Sequence, residues 1–297
     1  MRVALVTARA ARGLDEDEPP LRLALQSAGC EAQTTEWDDL RVDWSQFDAA
    51  LLRSAWDYAE RRTEFLAWVQ RAAGVTCVLN PPAVLRWNTD KHYLAELTQL
   101  GVAVVPSLFI EPGENPSAQL ALFLQQQPAA EIVIKPAVGA GSRDAQRHRR
   151  SDVAAAESHA RRLLHAQRSV LVQPYLERVD RDGETALMYF AGRFSHAVRK
   201  GALLPAGGAA TKGLFAPESI TPRQPAAEEL LLGERILSSL PFAMPLYARI
   251  DLIRSAEGAP LLLELELTEP SLFFAHSAGS AEVFTAALLQ RLAEPRS

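Results

Sequence analysis

The segment LYARIDLIRSAEGAPLLLELELTEPS, near the C-terminal end of the chain, has the letters of a β-hairpin with chemistry on one side. Strand alternation puts Arg249 and Asp251 on one face and Leu246, Ala248, Ile250 and Leu252 on the other. On the return strand Leu261, Leu263, Leu265 and Leu267 face one way, and Glu264, Glu266 and Thr268 the other. A turn centred near Glu257 and Gly258 sets Asp251 opposite Glu264. Like charges directly opposed on a sheet repel, so Asp251, Glu264 and Glu266 are candidate ligands of a divalent cation. An all-oxygen donor set points to Mg²⁺ or Mn²⁺. A solvated sheet face gives the same alternation, and the hairpin alone does not choose between the two.

Two further segments carry candidate chemistry. In EIVIKPAVGAGS an apolar strand delivers Lys135, Pro136 ends the pairing, and Gly139 and Gly141 permit a tight loop up to Ser142. Backbone N–H groups of such a loop bind anionic oxygens, and the lysine adds a point charge. A plain turn fits the same letters, and the pattern is not G-x-x-x-x-G-K-[ST]. In SVLVQPYL a strand ends in Gln173, Pro174 and Tyr175, with Glu177 and Glu184 following. A strand edge can read a purine and a carboxylate can accept both ribose hydroxyls, although an interdomain connector has the same look.

Candidate substrate contacts are Arg53, Trp56, Asp57 and Tyr58, which follow an apolar strand where open α/β sheets bind ligands, together with Ser271 beside the carboxylates. Trp56 and Tyr58 also suit interdomain packing, and Arg53 a plain ion pair. Arg199 ends a strand that can face the cleft and is a candidate catalytic cation. The six histidines show no paired spacing, so none is assigned a catalytic role.

These residues need elements to position them. Val3 to Leu5, a helix Leu21 to Ala28 ended by Gly29, the run Phe47 to Leu52, a helix Thr63 to Ala73 and the strand Val75 to Leu79 predict a parallel βαβ unit. TARAARG and the acidic run Asp15 to Glu18 stand where G-x-G-x-x-G would lie, which excludes a Rossmann dinucleotide site. Asn80, Pro81 and Pro82 mark a boundary, followed by a helix Asp90 to Leu100 with Asn88 or Thr89 as cap. Beyond it the spacing predicts a strand Val102 to Val105, a helix Ser117 to Gln127, the Lys135 strand, a helix Asp152 to Gln167 and the Gln173 strand. Strands Thr185 to Phe190 and Phe194 to Arg199, a helix Glu228 to Leu240, the hairpin and a helix Ala281 to Leu292 complete the chain. The loop Gly201 to Gly213, with Gly207 and Gly208, is a lid candidate.

Composition sets outer bounds. At 297 residues with 48% hydrophobic and 23% charged residues the chain can build its own cores, and Cys30 and Cys77 read as unbridged thiols. A net charge of -5 and only the short run Arg147, Arg149, Arg150 argue against nucleic acid. No stretch reaches the roughly 20 apolar residues of a membrane helix. The opening MRVALVTARAARG lacks a signal-peptide pattern, so a cytoplasmic location is expected.

In order, Lys91 at a helix start, IVIKP with its glycine loop, VQPYL, ARIDLI and LELELTEPS resemble the ATP-grasp superfamily from about Asn80 to Phe274. RSAWDY, NPPAVLRWNTDKHYL and ELELTEPSLF are similar to the group that includes the cyclo-ligase of D-cycloserine biosynthesis, acting on O-ureido-D-serine, and more distantly to glutathione synthetases. The resemblance implies an α/β chain with an N-terminal parallel domain, residues 1–88, and two α+β subdomains, residues 89–172 and 173–297, clasping ATP. It implies that Lys91 and Lys135 hold phosphates under the loop Gly139 to Ser142, that Gln173, Pro174 and Tyr175 form the adenine hinge, and that Glu184 meets the ribose. Glu177 and Asp182 compete for that last role. It gives Asp251, Glu264 and Glu266 to Mg²⁺ and Arg249 to the transferring phosphate or the substrate carboxylate. Many members carry Asn where Glu266 stands. The implied activity is an ADP-forming carbon–nitrogen ligase on a small carboxylate and a nitrogen nucleophile, and the resemblance admits a homodimer. A phosphotransferase, or a nucleotide-binding regulatory protein, shares the same fold.

Overall fold

The chain opens on VALVT, apolar at successive positions because this strand is covered on both sides. In the computed structural model, which describes residues 1–204 and 219–294, β1 (Arg2–Thr7) leads through α1 (Glu18–Ser27) to β2 (Glu31–Glu36). β3 (Ala49–Ser54), α2 (Arg62–Ala73) and β4 (Cys77–Leu79) follow, and the four strands form a parallel sheet in the order β2-β1-β3-β4. The expected βαβ unit is present, with one strand the sequence reading lacked. β2 reads EAQTTE and shows no apolar alternation; as an edge strand paired on one side only, it needs little.

Two short helices, α3 (Pro82–Asn88) and α4 (Tyr93–Gln99), carry the chain onward. The expected helix from Asp90 is therefore shorter, and neither expected residue caps it. Asn88 closes α3 and is buried, its side chain donating to the Leu265 carbonyl (2.8 Å) and accepting from the Leu267 N–H (2.7 Å). Thr89 follows it as the C-cap of α3.

A second, antiparallel sheet is built from β5 (Leu108–Ile110), α5 (Pro116–Gln126), β6 (Glu131–Pro136), β7 (Gln146–Arg149), α6 (Val153–His165) and β8 (Val170–Pro174), in the order β5-β8-β6-β7. Asn115 and Asp152 cap the two helices through Ser117 N and Ala155 N. Ile132, Ile134, Val170 and Val172 pack beneath α5 and α6, which leaves Val133 and Lys135 on the open face. The predicted strand Val102 to Val105 does not form. Only Val104 bridges to Leu262, with Pro106 following, which has no N–H to continue a ladder.

The third sheet follows α7 (Arg178–Asp182) and comprises β9 (Glu184–Phe190), β10 (Arg193–Lys200), β11 (Ile220–Pro222), then α8 (Ala227–Ser238) and the hairpin β12 (Tyr247–Arg254) with β13 (Pro260–Glu266). It is antiparallel, in the order β11-β10-β9-β12-β13. One face packs Leu187, Ile250 and Leu265 against Leu94, Leu97 and Ile236 of α4 and α8. On the other side Phe190 and Tyr247 share a core with Leu21 and Leu25 of α1 and with Phe284 and Leu288 of α9 (Ser280–Ala293). The last helix thus packs into the core of the first domain. Among the described residues no helix is long and apolar enough to cross a membrane.

Asn80, read from sequence as part of a boundary, is the joint between sheets. It is fully buried, donates to the carbonyls of Tyr247 (3.0 Å) and Leu267 (2.8 Å), and accepts from Leu246 N–H (2.7 Å). Asn80→Leu keeps the volume but strands three buried backbone groups, and the expected cost is roughly 3 kcal/mol. Asn115→Ala, which removes one exposed cap, should cost about 1 kcal/mol. Denaturant midpoints of the two variants check this, and equal shifts would remove Asn80 as the joint.

Candidate active site

The sheet faces not covered by helices enclose a cavity of about 490 Å³, within the ~300–1,000 Å³ of small-ligand sites. Its first end is apolar. Val133 from β6, Gln173, Pro174, Tyr175 and Leu176 from the end of β8, and Ile253 and Leu263 from the hairpin line it. Gln173 donates to the Ser107 hydroxyl (3.0 Å), and the Arg147 guanidinium lies 3.5 Å from the Tyr175 ring centroid, fixing both residues.

Leu263 and Ile253 were missed from sequence, and Leu261 and Leu263 were expected on the far face. A bulge between Asp251 and Leu252 pairs Leu252 with Leu262. Leu262 therefore enters the α4–α8 core, while Leu261 and Leu263 turn toward Tyr175 and Ile253. The run of three leucines carries no phase from which this could be read.

The middle of the cavity is a network of opposite charges. Asp251 does stand opposite Glu264. Glu264 receives Lys91 at 2.8 Å and Lys135 at 3.8 Å, and Lys91 also donates to the Gly139 carbonyl at 2.8 Å. That last bond ties the glycine loop to the helix start, and Gly139, Gly141 and Ser142 all line the cavity. Asp251 accepts from Arg249 (2.9 and 3.0 Å) and from Lys200 (2.9 Å); Arg249 also pairs with Glu266 and donates to the Ser271 carbonyl (3.2 Å).

Burial alone would raise the Asp251 carboxyl, but Arg249 and Lys200 hold it below its usual range. Glu264 is likewise held down by Lys91 and Lys135 against its burial, while burial lowers Lys135 despite Glu264 beside it. Glu266, by contrast, is pushed up by burial to about 7. Among the described residues no three acidic, His or Cys side chains are already gathered as a metal cage. The three expected ligands share one region, but each is taken up by lysine or arginine.

Glu184, rather than Glu177 or Asp182, reaches the cavity, and it pairs with Lys200 at 3.2 Å. Gly183 before it has φ 69°, and a side chain there would collide with the Lys200 carbonyl. Arg199 does not enter. Register pairs it with Thr185, whose hydroxyl bonds Glu229 of α8, and Arg199 donates to the carbonyls of Asp182 (2.9 Å) and Arg181 (3.0 Å). Lys200, one residue on, points the other way into the cavity, as alternation along β10 requires.

Trp56, Tyr58 and Ser271 line the cavity as expected, whereas Arg53 and Asp57 do not. Arg53 is sealed behind the wall between Asp15 (3.3 Å) and Asp17 (3.2 Å), and Asp57 accepts from Trp37 (2.8 Å) and Arg61 (3.3 Å). The far end of the cavity holds Asp15, Glu16, Asp17, Glu269, Phe273 and His276, none of them singled out from sequence. The available signal was the acidic run after β1, at the carboxyl end of a parallel strand. From 205 to 213 the lid candidate lies outside the described residues.

A family model described as the N-terminal domain of the D-cycloserine synthetase DcsG matches residues 3–80. The cycloserine biosynthesis protein DcsG of Streptomyces lavendulae is 41% identical over 295 residues, 98% of this chain and 98% of that protein. The chain belongs to the DcsG family, and its fold is that of ATP-grasp ligases. The crystal structure of the D-cycloserine synthetase DcsG superposes with a TM-score of 0.93 at 39% identity, covering 98% of this chain and all of that one. The D-alanine–D-alanine ligase of Bacillus anthracis, solved with ATP, gives a TM-score of 0.68 at 15% identity, covering 98% of this chain and 96% of that one, a likeness of fold. As a family member the chain is a ligase.

The exchange of Arg199 for Lys200 is directly testable. Lys200→Met should weaken ATP binding roughly 10- to 100-fold, the worth of a charge-assisted contact in a desolvated site. Arg199→Ala should leave it nearly unchanged. Titration calorimetry with ATP separates the two, and a larger loss in Arg199→Ala would reinstate the arginine.

Proposed function

We propose that this ligase transfers the γ-phosphoryl group of ATP to the carboxylate of a small amino-acid derivative and joins the resulting acyl phosphate to a nitrogen nucleophile. The observation that carries the reading is the convergence of Lys91 and Lys135 on Glu264, beside Asp251 held by Arg249 and Lys200. A carboxylate oxygen attacks the γ-phosphorus and ADP leaves. The nitrogen then attacks the acyl carbon, loses a proton, and inorganic phosphate departs. When both groups belong to one molecule the product is a ring, and the likeness to the D-cycloserine synthetase DcsG supports that variant.

Catalysis here is electrostatic and positional. Lys91 and Lys135 offset charge gathering on the phosphoryl oxygens, Arg249 orients the acceptor carboxylate, and Gly139 to Ser142 close over the phosphates with their N–H groups. The apolar end formed by Val133, Tyr175, Ile253 and Leu263 takes adenine, with Glu184 at the ribose. Asp251, Glu264 and Glu266 suit a hard dication by donor chemistry, and would hold Mg²⁺, which when bound neutralises phosphate charge. The full set of lysines, Arg249 and carboxylates argues against a regulatory relic. Against a phosphotransferase, the products decide. With O-ureido-D-serine, ATP and Mg²⁺, ADP and free phosphate should appear in equal amounts; a stable phosphorylated product without free phosphate would make the chain a kinase.

Glu264→Gln should lose turnover on the order of 100-fold while melting close to the wild type. ADP release and thermal melts measured on the same preparation check it, and wild-type turnover would sink the site. Because the Glu266 carboxyl titrates near 7, its proton must leave before it can bind a cation. The Mg²⁺ concentration for half-maximal ADP release should therefore rise as pH falls through 7. Glu266→Asn, which has no such proton, should flatten that rise.

A further inference from the structure

The mechanism above gives no task to Glu269, a buried carboxylate of the cavity. Glu269 is 6% exposed, lines the cavity, and among the described residues its carboxylate makes no hydrogen bond or ion pair. The other buried carboxylates around it are matched. Asp251 has Arg249 and Lys200, Glu264 has Lys91 and Lys135, Glu266 has Arg249, and Asp17 has Arg53 and the N–H groups of Leu272, Phe273 and Phe274. Burial, then repulsion from Glu266, push the Glu269 carboxyl well above its usual range. Such a group is left either neutral or awaiting a cation.

The cavity lining carries both signs of charge. Lys91, Lys135, Arg143, Lys200 and Arg249 line it, and so do Asp15, Glu16 and Asp17, with Arg53 buried against Asp15 and Asp17. A simple carboxylic acid would answer only the cationic part. Glu269 feels both Glu266 and Arg249, so it stands beside the place of phosphoryl transfer. One tetrahedral carbon carrying a carboxylate and an ammonium can face both.

Resting on the ligase reading above, we propose that Glu269 binds the ammonium group of a zwitterionic amino-acid substrate whose carboxylate lies at Arg249. Glu269 is then a specificity residue, selecting amino acids over their uncharged counterparts. A buried carboxylate lacking its cation is heavily penalised, so discrimination comes from the cost of leaving Glu269 unmatched as much as from the contact itself.

The test compares O-ureido-D-serine with its analogue bearing hydroxyl in place of the amine, in wild type, Glu269→Gln and Glu269→Asp, by ADP release at saturating Mg²⁺. Wild type should prefer the amine by about 30-fold or more in kcat/KM, expressed mainly in KM. Glu269→Gln should lose most of that preference, the hydroxy analogue suffering much less, and Glu269→Asp should recover part of it. ATP affinity near wild type establishes that each variant is folded. Equal losses for both compounds, or a raised Mg²⁺ requirement in Glu269→Gln, would overturn the proposal in favour of a packing or metal role. No ADP from wild type with the amine would remove the ligase reading itself, and the inference with it; normal wild-type turnover with an unaltered preference in Glu269→Gln would remove the inference alone.

Discussion

Everything about this site depends on balancing like charges in a place with little water. Asp251 and Glu264 are set face to face by strand register, and Glu266 shares their side of the hairpin. Left alone they would repel, and burial would drive each to take up a proton. Lys91, Lys135, Lys200 and Arg249 prevent this for Asp251 and Glu264, and they come from four different places in the chain: a helix start, two strand ends and the hairpin itself. The site forms only when three sheets are brought together, which makes the joints between sheets as important to function as the ligands.

Those joints are polar and buried. Asn80 and Asn88 hold the backbone of β12 and β13 through side-chain amides, and Asp17 gathers three successive N–H groups after the hairpin while pairing with Arg53. Each bond fixes a direction as well as a distance, which apolar packing does not. Ionised groups buried this way are a poor route to stability, since desolvation offsets much of their attraction. Their value here is geometric, holding cations near the cavity in the absence of phosphates.

Glu266 and Glu269 differ from their neighbours in having too little positive charge beside them to offset burial. Arg249 alone serves both Asp251 and Glu266, and no described cation pairs with Glu269. The cavity is thus prepared for more positive charge than the chain supplies. The proposed hard dication at one carboxylate and the proposed ammonium at the other would divide that deficit between two ligands of different chemistry.

The amino-acid order by itself determined the parallel opening unit, the capped helices α5 and α6, and the placement of Lys135 before its glycine loop. These follow from short-range rules: side chains alternate along a strand, and Asn115 and Asp152 satisfy N–H groups at helix starts. The pairing of Asp251 with Glu264, expected from a turn near Glu257 and Gly258, is reached through the bulge beside Asp251. Tertiary structure decided the rest. Leu263 faces the apolar end of the cavity only because a bulge resets the phase of β13. Lys200 displaces Arg199 only because Thr185, its cross-strand partner, is claimed by Glu229 of α8. Arg53, a plausible ligand by position, is consumed by Asp15 and Asp17, and Glu269 meets the cavity only where the loops of the first domain close over it. A side chain's phase along its own strand is set by neighbours one or two residues away, whereas which face is buried, and against which charge, is set by elements brought together from distant parts of the sequence.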